Sequence, residues 1–198
     1  AIFLTRYACE IIGGQTQLQD TAIAPHGSDE AFRAVATRRR PWPEAGPVHC
    51  LYVSNVAPYK HQWQVVRAVH GLRQKSGIDL RLRLVAGGSG PAMARLLAVL
   101  AELDPERRFV ELVEFLPHGR IAQELADADL FVFASSCENL PITLLEGMAA
   151  GLPICSSDRG PMREVLGEEG CYFDPEDAIS IEAALARQVS DAAGRERS

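Results

Sequence analysis

The sequence lacks any apolar run approaching the ~18–20 residues needed to cross a bilayer as a helix. Its opening residues, Ala-Ile-Phe-Leu-Thr-Arg-Tyr, do not have the layout of a secretory signal. There is no CxxC pair, and the histidines form no ligand spacing. Five cysteines (Cys9, Cys50, Cys137, Cys155 and Cys171) are scattered and odd in number. That usage predicts neither a structural zinc site nor a disulfide framework, but reduced thiols, several of them filling the core. These absences predict a soluble, cytoplasmic chain, with membrane attachment at most peripheral. Basic charge is also short. A formal net charge of −6 argues against a surface for DNA or RNA, which needs concentrated Lys and Arg. The one dense basic run, Arg38-Arg39-Arg40, reads as a solvated linker face.

What is present is enough for one domain of ordinary size with some additional segments, 198 residues in all. From residue 48 onward, short apolar runs alternate with stretches of helical spacing. Strands are predicted at 48–54, 79–86, 109–115, 129–134, 152–156 and 171–173. Helices are predicted at 62–75, 92–103, 121–126, 141–150, near 162–166 and at 178–189. In the second strand Leu80, Leu82 and Leu84 alternate with Arg81 and Arg83, and Gly87-Gly88-Ser89-Gly90 ends it. Gly151 and Pro153 close the helix at 141–150. This alternation means βαβ units, hence an α/β fold with a parallel sheet covered by helices on both faces. Ligands of such sheets bind beyond the carboxyl ends of the strands, which directs attention to loops 54–61, 87–91, 115–120, 135–141 and 157–162. Residues 1–47 break the rhythm, with a possible strand at 21–25 and a proline- and arginine-rich linker at 38–47. They read as the tail of a preceding domain.

The richest loop is Ser135-Ser136-Cys137-Glu138-Asn139-Leu140-Pro141, leading into a helix that carries Glu146. A proline at or near the first helical position needs no amide hydrogen bond, while the neighbouring amides point outward and attract an anion such as a pyrophosphate. Carboxylates are poor phosphate ligands but good acceptors for hydroxyls, so two glutamates here suggest a ligand rich in hydroxyl groups. Each alone is equally well explained otherwise, Glu138 as a helix cap and Glu146 as a solvated helix residue.

Together the residues form a pattern. Glu138-x7-Glu146, continued by Gly147-Met148-Ala149-Ala150-Gly151-Leu152-Pro153, resembles the signature of glycosyltransferase family 4, whose members have the GT-B fold of two Rossmann-like domains. Four other segments resemble the family in order and spacing. They are Tyr52–Lys60 with its lysine, Leu84–Pro91 with its glycines, Val113-Glu114-Phe115-Leu116-Pro117, and Ile23-Ala24-Pro25-His26-Gly27-Ser28-Asp29 at the handover between domains. The resemblance implies that residues 48–198 are the second, donor-binding domain, that 1–47 are the end of the acceptor domain plus linker, and that the chain stops before the family's final helix. It implies a nucleoside diphosphate sugar as donor, retention of anomeric configuration and no cofactor.

The same resemblance implies roles. Lys60 would bind the donor phosphates and steady the departing diphosphate. Glu138 would contact the transferred sugar, and the backbone at Asn139, Leu140, Pro141, Ile142 and Thr143 would hold sugar and phosphate oxygens. Glu146 would accept from the ribose hydroxyls. Asn55 and Gly88 belong to the two neighbouring loops, and the backbone near Leu116 would meet the base. A lysine and a helix N-terminus make a metal unnecessary, an expectation that takes the chain to lack an Asp-x-Asp element. Asn55 stands where the family often has a cation, so either phosphate binding is weaker or another cation, Arg159, contributes. Gly147 replaces a common alanine, at a cost of up to ~1 kcal/mol in helix propensity. Cys137 is expected to be a buried thiol, His61 a solvated residue at a helix start, and Glu164 a structural or helix-dipole residue. The acceptor, a sugar or a lipid-linked one, would bind the first domain, so the chain is expected to bind donor but not to transfer alone. Two other functions fit the same residues: a nucleotide-sugar 2-epimerase of the GT-B fold, and a non-catalytic nucleotide-sugar-binding module.

Overall fold

The computed structural model describes residues 1–191 apart from Gln17, Arg39, Arg40, Glu44 and Ala45, and the side chain of Glu169 is also left aside. Much of the predicted linker, two arginines of the basic run and the last seven residues therefore lie outside the described residues.

Six strands form one parallel sheet: β3 (Val48–Val53), β4 (Leu80–Val85), β5 (Val110–Val113), β6 (Leu130–Phe133), β7 (Ile154–Ser157) and β8 (Cys171–Phe173), in the order β5-β4-β3-β6-β7-β8. The predicted α/β sheet is what forms. Strand β6, at the centre of the sheet, is apolar throughout because both of its faces are covered. All four residues of β6, Leu-Phe-Val-Phe, are buried. β4 shows why its arginines alternate with leucines: Leu80, Leu82 and Leu84 enter the core, while Arg83 on the opposite face is ion-paired with Glu111 and Glu124.

One face carries α3 (Gln62–Ser76), with α4 (Pro91–Leu103) and α8 (Ala178–Ser190) packed on either side of it. The other carries α5 (His118–Asp127) and α6 (Ile142–Ala149), with α2 (Glu30–Ala36) packed across both. α7 (Met162–Leu166) follows β7. The predicted helix at 121–126 begins three residues earlier, because Pro117 at the N-cap starts it and its first turn, His118-Gly119-Arg120, is too polar for apolar spacing to reveal. Pro141 is the N-cap of α6 rather than its first helical residue.

The first 36 residues hold more structure than the sequence suggested. β1 (Ile2–Phe3) and β2 (Ala22–Ile23) pair in parallel as a separate two-stranded sheet, joined through α1 (Arg6–Gly13). α2 sends Phe32 and Val35 into the same core as the six-stranded sheet. No described helix is long and apolar enough to cross a membrane.

β3 and β6 are adjacent strands whose following connections run to opposite sides of the sheet: β3 leads to β4, β6 to β7. Diverging chains leave a crevice beyond the carboxyl ends of these two strands. Lys60 follows one of them and Glu138 the other.

Candidate functional site

After β3 the chain makes a short 3-10 turn, Pro58–Lys60, which three contacts fix in place. The Tyr52 hydroxyl, rising from inside the core, donates to the carbonyl of Lys60 at 2.7 Å. The Ser136 amide donates to the Tyr59 carbonyl at 2.8 Å. His61 Nε2 lies 2.9 Å from Ser136 Oγ. The loops after β3 and β6 are thus stitched together before either long side chain is considered. Burial raises the Tyr52 phenol well above its ordinary range, so its proton stays available to donate.

His61 is not the solvated residue expected from the sequence. It is buried, with the left-handed backbone of φ 48° that joins the 3-10 turn to α3. Burial lowers its pKa, favouring the neutral ring. A third loop joins these two. The Val56 amide donates to the Gly87 carbonyl at 2.8 Å, and a Cβ on Gly88 would lie 3.1 Å from the Val56 carbonyl oxygen. The glycines after β4 therefore serve close approach of one backbone to another.

On this frame Lys60 Nζ is ion-paired with the Glu138 carboxylate, and the two side chains are only 12% and 15% exposed. The same ammonium stands 5.3 Å from the centre of the Tyr59 ring and 5.2 Å from that of Phe133. Glu138 is therefore no helix cap. Glu146, eight positions on, is no solvated helix residue: its carboxylate is 4% exposed and meets His118 Nε2 at 2.7 Å. His118 begins α5, and its ring stands edge-on to Phe32 with 5.5 Å between centroids. Nothing in the sequence pointed to His118 beyond its place in loop 115–120, because its partner is 28 residues away.

The other predicted residues fall around this pair. Asn55 is exposed in side chain, and its carbonyl accepts from Gln62 Nε2 at 3.0 Å. Leu116 is half-buried against the core. Leu140 and Pro141 are buried, while Ile142 is 49% exposed. The first amides of α6, including those of Ile142 and Thr143, have no acceptor within their own helix. The Asn139 carbonyl accepts from the Thr5 hydroxyl at 3.0 Å, which draws the N-terminal segment to the rim of the site. Glu164 accepts from the amides of Arg6 and Tyr7 at 2.6 and 2.8 Å, so a carboxylate caps the positive end of α1. Arg159 is not poised to replace the cation absent at Asn55, because Asp158 and Asp174 hold its guanidinium at 3.5 and 3.0 Å. Cys137 is exposed rather than buried.

Gly147 has a packing reason. A Cβ there would come within 3.1 Å of the Phe131 ring, so α6 crosses β6 where alanine would press on an aromatic face. Contrary to expectation, Asp127-Ala128-Asp129 does spell Asp-x-Asp. It stands at the amino end of β6, opposite the crevice, and Asp129 Oδ2 accepts from the His49 amide at 2.8 Å.

The crevice thus combines a largely buried ammonium paired with Glu138 and the N-terminus of α6, the helix that also carries the Glu146 carboxylate, an arrangement able to hold phosphate and hydroxyl groups side by side.

A family model described as "Glycosyl transferases group 1" matches residues 37–198. The chain is 25% identical over 148 residues to the O-antigen chain mannosyltransferase B of Escherichia coli, covering 75% of this chain and 38% of that protein. It is 30% identical over 149 residues to the amylovoran biosynthesis glycosyltransferase AmsK of Erwinia amylovora, covering 71% of this chain and 36% of that protein. The chain thus spans less than two fifths of the length of these relatives. Among solved structures, one described as trehalose-6-phosphate from E. coli bound with UDP-2-fluoro glucose superposes with a TM-score of 0.78 at 14% identity, over 98% of this chain and 54% of that one. At that identity the likeness is one of fold.

Proposed function

The chain belongs to the group 1 glycosyl transferases, and we propose that it is the part of such an enzyme that holds a nucleoside diphosphate sugar. The observation that carries this reading is the convergence of Lys60, Glu138 and the start of α6 at the crevice between β3 and β6. In this reading the enzyme is of family 4, retains anomeric configuration and needs no metal. Residues 48–198 form the donor domain, and residues 1–47 are the end of the acceptor domain and its linker.

The roles follow from charge and geometry. A diphosphate entering the crevice competes with Glu138 for the Lys60 ammonium. It also meets the amides of Asn139, Leu140, Ile142 and Thr143, at the positive end of the α6 dipole. Lys60 then stabilises the charge that grows on the leaving diphosphate, which lowers the barrier only so far as it acts more strongly in the transition state. Glu138, freed from the lysine, accepts from hydroxyls of the sugar. Glu146 accepts from the ribose hydroxyls, and backbone near Gly88 and Leu116 lines the nucleoside side. No proton transfer between the two glutamates is required. The acceptor, a sugar or a lipid-linked one, is held by the first domain, so residues 1–198 bind donor without transferring it.

A thermal-shift panel of UDP-, GDP- and ADP-sugars tests the reading, since a ligand that binds only the folded chain raises its melting temperature. One nucleotide class should stabilise the chain, and Glu146→Ala should reduce the shift. A flat response to all three would overturn the proposal.

A further inference from the structure

Two cysteines that the site does not use lie side by side on β7 and the edge strand β8. Cys155 on β7 and Cys171 on β8 are register partners. Neighbouring strands lie ~4.7–4.9 Å apart, which places paired Cα atoms within the range a disulfide spans, ~4.4–6.8 Å. The two side chains point to the same face, beneath α8, where both thiols donate to one acceptor. Cys155 Sγ lies 3.7 Å and Cys171 Sγ 3.4 Å from the Ala184 carbonyl oxygen.

The two differ in surroundings. Cys155 is fully buried, and Cys171 is partly exposed. The Arg187 guanidinium, one turn of α8 beyond Ala184, stands 3.5 Å from Cys171 Sγ and 3.3 Å from the Tyr172 carbonyl oxygen. A cation in contact favours the thiolate, the nucleophilic form. The neighbouring Cys155 thiol and then the Arg187 guanidinium hold the Cys171 pKa below its ordinary value, against the opposing effect of burial. Cys155 is raised well above its ordinary value. One sulfur is thus set up to react first and its neighbour to follow, and no third cysteine is needed.

We propose that Cys171 and Cys155 form a peroxide-sensitive dithiol, with Cys171 the sulfur oxidised first and Cys155 the sulfur that resolves it. In the first step the Cys171 thiolate attacks hydrogen peroxide. An S–O bond forms, the O–O bond breaks, hydroxide leaves and the sulfur becomes a sulfenic acid. In the second, the Cys155 sulfur attacks that sulfenic sulfur. The S–S bond forms, the S–O bond breaks, and the departing oxygen takes the Cys155 proton and leaves as water. A dithiol reductant restores both thiols by exchange: the Cys155–Cys171 bond breaks as the reductant's own two sulfurs join. The crosslink fastens the edge strand β8 to β7. It lies two residues from Ser157, whose hydroxyl donates to the Ser135 carbonyl beneath the site loop.

Peptide mapping after hydrogen peroxide, with free thiols blocked before digestion without reductant, tests this on the whole chain. The expected product is the peptide pair joined through Cys155 and Cys171, released by dithiothreitol. It should form severalfold faster than the exposed Cys137 is oxidised in the same molecules, and Arg187→Ala should remove most of that advantage. Cys155→Ser should halt the reaction at a sulfenic acid on Cys171 that dimedone traps. If that variant does not fold, the wild-type map still decides. Oxidation of Cys137 with Cys155 and Cys171 both left alkylatable would overturn the proposal. So would Cys171 joined to Cys9 or Cys137, or Cys171 carried to sulfinic acid with Cys155 still reduced.

Discussion

His118 Nε2 stands 2.7 Å from Oε1 of Glu146, yet the imidazole is 70% exposed and the carboxylate 4%. The pair is a buried acceptor covered by a surface donor. A ligand hydroxyl that reaches Glu146 must share it with His118 or displace it.

Removing the cover should therefore matter less for folding than removing the acceptor's surroundings would. His118→Ala leaves Glu146 without its partner, but water can follow the vanished ring inward. The expected loss in urea unfolding is about 1 kcal/mol, the low end for an orphaned polar group. Glu146→Ala should cost the nucleoside contact and appear as a reduced thermal shift with the preferred nucleotide sugar.

Lys60→Ala removes the cation and leaves Glu138 facing the same crevice. Hydrogen bonds to charged groups contribute about 1.5–3 kcal/mol, so affinity for a nucleoside diphosphate should fall about tenfold to a hundredfold by calorimetry. Asn55→Arg should act in the opposite direction if that loop faces the phosphates. Unchanged affinity in Lys60→Ala would remove Lys60 from the phosphate site.

The glycines should rank by what their new methyl meets. At Gly87 a Cβ would lie 2.5 Å from the Glu114 carbonyl oxygen, a backbone atom that cannot turn aside. At Gly147 it would press on the Phe131 ring at 3.1 Å. Gly87→Ala should destabilise by about 1–3 kcal/mol, the range for overpacking. Gly147→Ala should not deliver the ~1 kcal/mol that helix propensity promises. Adding Phe131→Leu to it should make the pair of substitutions less costly than their sum.

His61 predicts a pH dependence. Its folded pKa lies below the ordinary value of 6.5 because burial disfavours the charged ring. Between those two values the unfolded chain binds more protons, so stability rises with pH across that window. The contribution is fully present above about pH 6.5 and lost as pH falls through the folded pKa. Melting temperatures of the wild type should decline on acidification through this range more steeply than those of His61→Gln. Parallel curves would show that His61 is not the group responsible.

Strand and helix periods in the sequence were sufficient for the parallel sheet, because interior strands such as Leu130–Phe133 are apolar on both faces and arginines in β4 mark a face left partly open. The helix at His118–Asp127 was shortened by its polar first turn, and α1 and α2 were missed in a stretch read as the tail of a preceding domain. Glu138 and Glu146 stood out through their eight-residue spacing, and Lys60 through the loop that holds it.

What the sequence determined by itself was the set of chemical groups and the strands that precede them, since side-chain period and turn residues are local properties. Which groups meet was decided by tertiary structure. The strand order puts β3 beside β6 and so brings Lys60 to Glu138, 78 positions apart. Packing of α5 brings His118 over Glu146, burial makes His61 a structural residue, and pairing of β7 with β8 sets Cys155 against Cys171. Ion pairs, burial and thiol reactivity depend on distance in space, and spacing along the chain records that distance only within a single element.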